Sequence, residues 1–122
     1  MKASVISDIH SNFQALGAVL AAAPRYDTVW NLGDVVGYGA NPNEVVDVAT
    51  QLDGLIVRGN HDRACSGTMD FRDFRNLSSA AASSAMWTKE ILTSERTHWL
   101  STLPSCLDSH PAWPGSSGGR ID

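Results

Sequence analysis

Short β-type runs alternate with helix-periodic segments from Lys2 to Val57, and this alternation restricts the fold more than any other feature of the chain. Lys2 to Ser7 reads as a strand. Asn12 to Ala23 follows with Phe13, Leu16, Val19, Leu20 and Ala23 at helical spacing. Thr28 to Leu32, rich in β-branched and aromatic residues, predicts a second strand that breaks at Gly33, Gly37 and Gly39. A second helix is expected from Pro42, with Asn41 as N-cap, Glu44 three residues on as in a capping box, and an apolar face of Val45, Val48, Ala49 and Leu52. Leu55 to Val57 supplies a third strand. The order β, α, β, α, β implies an α/β fold with parallel strands joined by right-handed crossovers.

From Ser78 to Leu92 the pattern is helical, with Met86, Trp87, Ile91 and Leu92 as its apolar residues. Thr93 or Ser94 is placed to cap a shorter helix carrying Trp99, Leu100 and Leu103. Beyond Leu103 the texture changes: residues 104–122 hold three Pro, three Gly and four Ser among 19 positions, with no periodicity. The expected division is a folded domain over 1–103 and an irregular tail over 104–122.

Hydrophobic residues make up 43% of the 122 and charged ones 18%, the composition of a globular domain. Net charge is −4, without a Lys/Arg cluster, which argues against nucleic acid or an anionic membrane as a partner. The longest apolar stretch, Leu16 to Ala23, is far short of the roughly 18 residues that suggest a membrane span. The amino terminus lacks a signal-peptide core, and Cys65 and Cys106 lack paired spacing, so two reduced thiols and a cytoplasmic setting are expected.

Three polar clusters each fall where a strand has just ended: Asp8-Ile9-His10, Gly33-Asp34 and Gly59-Asn60-His61-Asp62. In an open parallel sheet the carboxyl ends of the strands share one edge, so Asp8, His10, Asp34, Asn60 and His61 are expected to meet in one crevice. Singly, each cluster is an ordinary turn. Together they bring two carboxylates, an imidazole and an amide oxygen to one place, a donor set suited to divalent transition metals. Two such ions about 4 Å apart, bridged by Asp34, would clamp a phosphoryl group and activate water, while His61 protonates the leaving alkoxide. No G-x-G-x-x-G or P-loop pattern follows any strand, which sets aside a nucleotide-binding domain.

These residues, in this order, resemble the calcineurin-like metallophosphoesterases. Ser7-Asp8-Ile9-His10-Ser11-Asn12, the run Leu32-Gly33-Asp34-Val35-Val36-Gly37-Tyr38-Gly39 and Pro42-Asn43-Glu44 are similar to the small bacterial phosphodiesterase and diadenosine-tetraphosphatase-like branch. The resemblance covers roughly residues 1 to 103 and implies the N-terminal βαβαβ half of a metallophosphoesterase sandwich, followed by two helices and the tail. It also implies that Asp8 and His10 bind a first metal, Asp34 bridges, Asn60 binds a second, and His61 is the acid. Manganese is the ion expected first, with iron, zinc, nickel, cobalt or magnesium as alternatives, up to two per site. The implied reaction is hydrolysis of a small phosphomonoester or phosphodiester by metal-bound hydroxide. Serine/threonine protein phosphatases carry an aspartate at the place of Gly37 and then an arginine, so that type is disfavoured.

Complete members of the family bring three further histidine ligands in a second half, and no matching segment occurs here. His110 follows no β-like run and is not expected to be a ligand; His98, beside Trp99, is given no role. The expectation is a shortened reading frame with a weak second metal site and reduced activity, the alternative function being an impaired or inactive metal- or phosphate-binding fragment. Loss of further strands would expose a sheet edge and an apolar face, inviting self-association. Trp30, Trp87 and Trp99 are expected in or half in the core, Trp113 in the exposed tail, and residues 69–74 as a solvated connector.

Overall fold

A computed structural model describes residues 1–67 and 77–106. Three strands, β1 (Ala3–Ile6), β2 (Thr28–Asn31) and β3 (Gly54–Ile56), form a parallel sheet in the order β1-β2-β3. β1 and β2 are shorter than the runs that predicted them by two and one residues, and β3 has the expected length but begins one residue earlier. The connecting helices are α1 (Phe13–Ala22) and α2 (Pro42–Gln51), as the alternation implied. Three more follow: α3 (Asn60–Cys65), α4 (Ser79–Ile91) and α5 (Ser94–Thr102).

Helix starts follow local chemistry. Asn12, Ser78 and Thr93 each accept a hydrogen bond from the backbone three residues on, at Ala15, Ala81 and Arg96, satisfying one orphan N–H per helix. At α2 the expected capping box does not form. The Asn41 side chain makes no capping hydrogen bond, although its carbonyl accepts from Val45 N at 3.2 Å. Pro42 has no N–H, so fewer donors there need a cap.

The register sets Ile6, Asn31 and Ile56 side by side, and Val5, Trp30 and Leu55 one residue back on the opposite face. The first face joins the core, where Ile6, Val29, Val35, Val45, Ala85 and Leu100 pack together. On the second face burial falls from Leu55 at 7% exposure to Val5 at 56%. Strand β1 is an edge of the sheet, with no neighbour beyond it among the described residues.

Two helix faces depart from expectation. Helix α1 buries only Leu16, leaving Phe13 and Val19 exposed, because among the described residues it lies on the rim of the core. Helix α4 turns its small residues inward: Ala81, Ala85 and Thr88 are buried while Met86, Trp87 and Ile91 are exposed. Close approach of α3 to α4 selects small side chains between them, and Trp87 is displaced outward from its expected place. Trp30 and Trp99 are half-buried as expected. Helix α5 is tied to α2 by a bidentate pair, Arg96 Nε to Asp47 Oδ1 at 2.8 Å and Arg96 Nη2 to Asp47 Oδ2 at 2.7 Å. That guanidinium holds the Asp47 carboxyl below the usual carboxylate range. No described helix is long and apolar enough to cross a membrane. His110, Trp113, residues 69–74 and nearly all of the tail lie outside the described residues.

Candidate metal centre

The loops leaving β1 and β2 continue to pair after the strands end. Asp8 N donates to Gly33 O, His10 N to Asp34 O and Ser11 N to Val35 O, each at 2.9 Å. Buried side chains pin both loops from below. Ile9 enters the core between Asp8 and His10, and Val35 and Val36, at 0% exposure, follow Asp34 inward. The polar residues between these anchors are thereby aimed into the crevice.

One donor atom each from Asp8, His10 and Asp34 lie within 4.8 Å of one another. The backbone is strained at these positions: φ is +58° at Asp8, +47° at His10, +57° at Ser11 and +54° at Asp34. Left-handed conformations at non-glycine residues cost free energy and persist where surrounding structure enforces them, characteristically at binding sites. Among the described residues five non-glycine positions have such a backbone, Tyr38 being the fifth, and three of the five are the clustered donors.

Hydrogen bonds orient these donors. His10 Nδ1 lies 3.1 Å from the Val36 carbonyl, which can only accept, so Nδ1 donates there and the ring turns its Nε2 toward the crevice. That Nε2 lies 3.3 Å from Asp8 Oδ1. A hydrogen bond from Ser7 Oγ at 2.6 Å holds the Asp8 carboxyl below its ordinary pKa, with His10 adding to the effect. Asp34 Oδ1 accepts from His61 N, in the first turn of α3, at 3.0 Å.

Helix α3 itself was not legible as a helix in the Gly59-Asn60-His61-Asp62 cluster. Its start is fixed by Asp62, whose carboxylate accepts from Gly59 N at 2.9 Å and Val36 N at 3.1 Å. An acid at the third helical position, reaching back to the residue before the helix, was the available sequence signal. Burial pushes the Asp62 carboxyl up to about 6, against the two N–H groups that favour its ionised form. Asn60, the first residue of α3, is exposed beside Gly59, whose α-carbon abuts Asp34.

His61 is buried, with its ring 4.8 Å from that of His10 and 4.8 Å from that of Tyr38. Desolvation of the ring lowers its pKa, with Asp34 pulling in the opposite direction. Beside the cluster opens a cavity of about 570 Å³ lined by Asp8, His10, Asn12, Gln14, Tyr38 and Asn41. The fold thus gathers Asp8, His10, Asp34 and His61 directly and sets Asn60 next to them in sequence. The donor set, an imidazole with two carboxylates converging from strained and hydrogen-bonded positions, fits a divalent cation.

A parallel sheet with acidic and imidazole donors at its carboxyl edge defines an α/β domain with a candidate metal-binding edge. The calcineurin-like phosphoesterase family model matches residues 1–119, and the chain belongs to that family. It is 39% identical over 109 residues to an uncharacterised protein of Methanocaldococcus jannaschii, covering 88% of this chain and 44% of that one. It is also similar to the crystal structure of a metallophosphoesterase from Sphaerobacter thermophilus, with TM-score 0.69 and 41% identity over 85% of this chain and 42% of the other. A hypothetical protein from Pyrococcus horikoshii shares the fold, with TM-score 0.64 and 19% identity over 84% of this chain and 48% of its own. The chain spans less than half the length of each of these relatives.

Proposed function

We propose that this chain carries the metal-binding part of a phosphoesterase site acting on small phosphomonoesters or phosphodiesters. The observation that carries the proposal is the convergence of Asp8, His10 and Asp34 within 4.8 Å on the sheet edge that also holds His61. Asp8, His10 and Asp34 would hold the first divalent ion, and Asp34 with Asn60 a second, weaker one. Manganese is the ion we expect first. A divalent cation there supplies an activated water and screens the charge that builds on phosphorus-bound oxygens.

The remaining chemistry belongs to the chain. Water adds its oxygen to phosphorus as the ester P–O bond breaks, and the departing oxygen takes a proton from His61, whose charged form is opposed by burial and supported by the nearby Asp34 carboxylate. His61 regains a proton from the water consumed. Asp34 Oδ1 is held by His61 N, so a single hydrogen bond fixes the carboxylate relative to the acid. The 570 Å³ cavity beside Asp8 and His10 is large enough for a small ester. Two thiols outside any disulfide, with burial raising that of Cys65 to about 12, suit a reducing cytoplasm and no nucleophilic role.

A second reading is favoured by the ligand set: with three clustered donors plus Asn60, a second ion would have only Asp34 and Asn60 as ligands, which favours a metal- or phosphate-binding role with impaired turnover. Titrating the purified chain with Mn²⁺ by calorimetry, alongside hydrolysis of p-nitrophenyl phosphate and its bis ester, separates the two. Binding and turnover that both fail in Asp34→Asn support the enzyme. Binding lost in Asp34→Asn without turnover in the parent chain supports the binding role, and no Mn²⁺ binding at all overturns both.

A further inference from the structure

Tyr38 occupies a position that neither core packing nor local backbone preference explains. Its φ is +60°, a left-handed conformation that is strained for a bulky L-residue. Its side chain is 52% exposed, so burial does not repay that strain. The loop is nevertheless held firmly on both sides: Tyr38 N donates to Ser84 Oγ of α4 at 3.2 Å, and Gly39 N to His10 O at 3.1 Å. The result is to set the phenol ring 5.0 Å from His10 in an edge-on arrangement and 4.8 Å from His61 with a tilt of 42°.

The His61 ring lacks the usual means of orientation. Its Nδ1 is buried with no hydrogen-bond partner, whereas His10 Nδ1 has the Val36 carbonyl. The orientation of His61 therefore comes from packing. Gly37 supplies one wall: at φ +93°, a Cβ there would stand 2.7 Å from His61 Nδ1, so the backbone lies directly against the imidazole. The His10 ring supplies a second, at 75° to His61. Tyr38 supplies the third and, like His10, also faces the cavity, but unlike His10 it is not one of the clustered metal donors.

We infer that Tyr38 is a positioning residue: its ring, held over the cavity by a strained backbone, fixes the His61 imidazole by aromatic contact in place of a hydrogen bond at Nδ1. Edge-on and tilted aromatic pairs at these separations are favourable beyond simple burial. The inference deepens the phosphoesterase reading, because it concerns the group proposed there as proton donor.

The test uses the full 122-residue chain as Tyr38→Phe, Tyr38→Leu and Tyr38→Ala. Histidine-ring proton–carbon NMR spectra in metal-free buffer, with His61 assigned through His61→Asn, report the ring directly. Tyr38 is exposed, and backbone amide spectra identify any variant that has lost its fold. The expected result is that Phe retains the His61 ring shifts, while Leu and Ala move them and broaden them toward those of a mobile imidazole. Where Mn²⁺ supports turnover, Leu and Ala should lower kcat by about 10–100-fold with little change in KM, and Phe should restore it. His61 shifts unchanged in folded Tyr38→Ala beyond the loss of the ring current seen equally in Tyr38→Leu, with both lines as sharp as in the parent, overturn the inference. Absence of turnover in the parent chain bears on the phosphoesterase reading alone, since the spectra decide the role of Tyr38 without it.

Discussion

At the scale of single residues, the site depends on how closely two backbones approach. A Cβ at Gly59 would collide with Asp34 Oδ1 and stand 2.6 Å from Asp34 N, so the third polar cluster can reach the second only through glycine. Gly59→Ala should push the Asp34 carboxylate out of line with Asp8 and His10. Displacing the supports of a ligand typically weakens metal affinity about 10–100-fold, and a Mn²⁺ titration should show a loss of that order. Gly17→Ala is the matched control. Gly17 lies within α1 with nothing within 4 Å of an added Cβ, so alanine there should leave Mn²⁺ affinity unchanged and stabilise the chain by about 0.5–1 kcal/mol in urea denaturation. Equal losses of affinity in both variants would show that Gly59 acts through general destabilisation instead of through Asp34.

At the scale of elements, α3 connects the metal loops to the helical layer, and Asp62 is its fastening. The carboxylate accepts from Gly59 N and Val36 N and is itself at 0% exposure. Asp62→Ala leaves two N–H groups without their acceptor and should cost about 2–4 kcal/mol, read as a lower urea midpoint at unchanged slope. A cost below about 0.5 kcal/mol would mean water replaces the carboxylate without penalty. The same element shows where sequence reasoning stopped. The three strands and the four longer helices follow from apolar spacing and from Asn12, Ser78 and Thr93, because those signals are local. The order of Asp8, His10 and Asp34 was likewise readable, since parallel strands must deliver their carboxyl ends to one edge. Helix α3 has only six residues, too few to show a period, and its one marker, Asp62, sits in a cluster dominated by candidate ligands. Which face of α4 turns inward depends on the distance to α3, a tertiary quantity, so the large residues Met86, Trp87 and Ile91 misdirected the expectation. The contact of Tyr38 with both histidines depends on a left-handed backbone at a tyrosine, for which sequence carries no signal.

At the scale of the whole molecule, the sheet is unequally covered. Among the described residues its core face is closed by helices, while on the opposite face exposure rises from Leu55 through Trp30 to Val5 at the β1 edge. On α1, Phe13 at 41% and Val19 at 50% exposure are further exposed apolar side chains. An apolar edge strand with unpaired backbone groups is a template for another strand, and charged residues on such edges are a common means of blocking it. Lys2 precedes β1 but lies outside the paired residues, so within β1 itself no charge blocks the approach. We therefore expect the chain to self-associate through β1. Light scattering coupled to size exclusion should give a mass that rises above the 13.1 kDa of one chain as concentration increases. Val5→Lys should restore the monomer, and because Val5 is already 56% exposed, the substitution should change the urea midpoint little. The metal centre lies beyond the carboxyl ends of the strands, so Mn²⁺ affinity should be the same in Val5→Lys as in the parent. A parent chain that stays monomeric at all concentrations would show that the open face is tolerated by water and that β1 is no interface, whereas association that persists in Val5→Lys would move the contact to Phe13 and Val19 on α1.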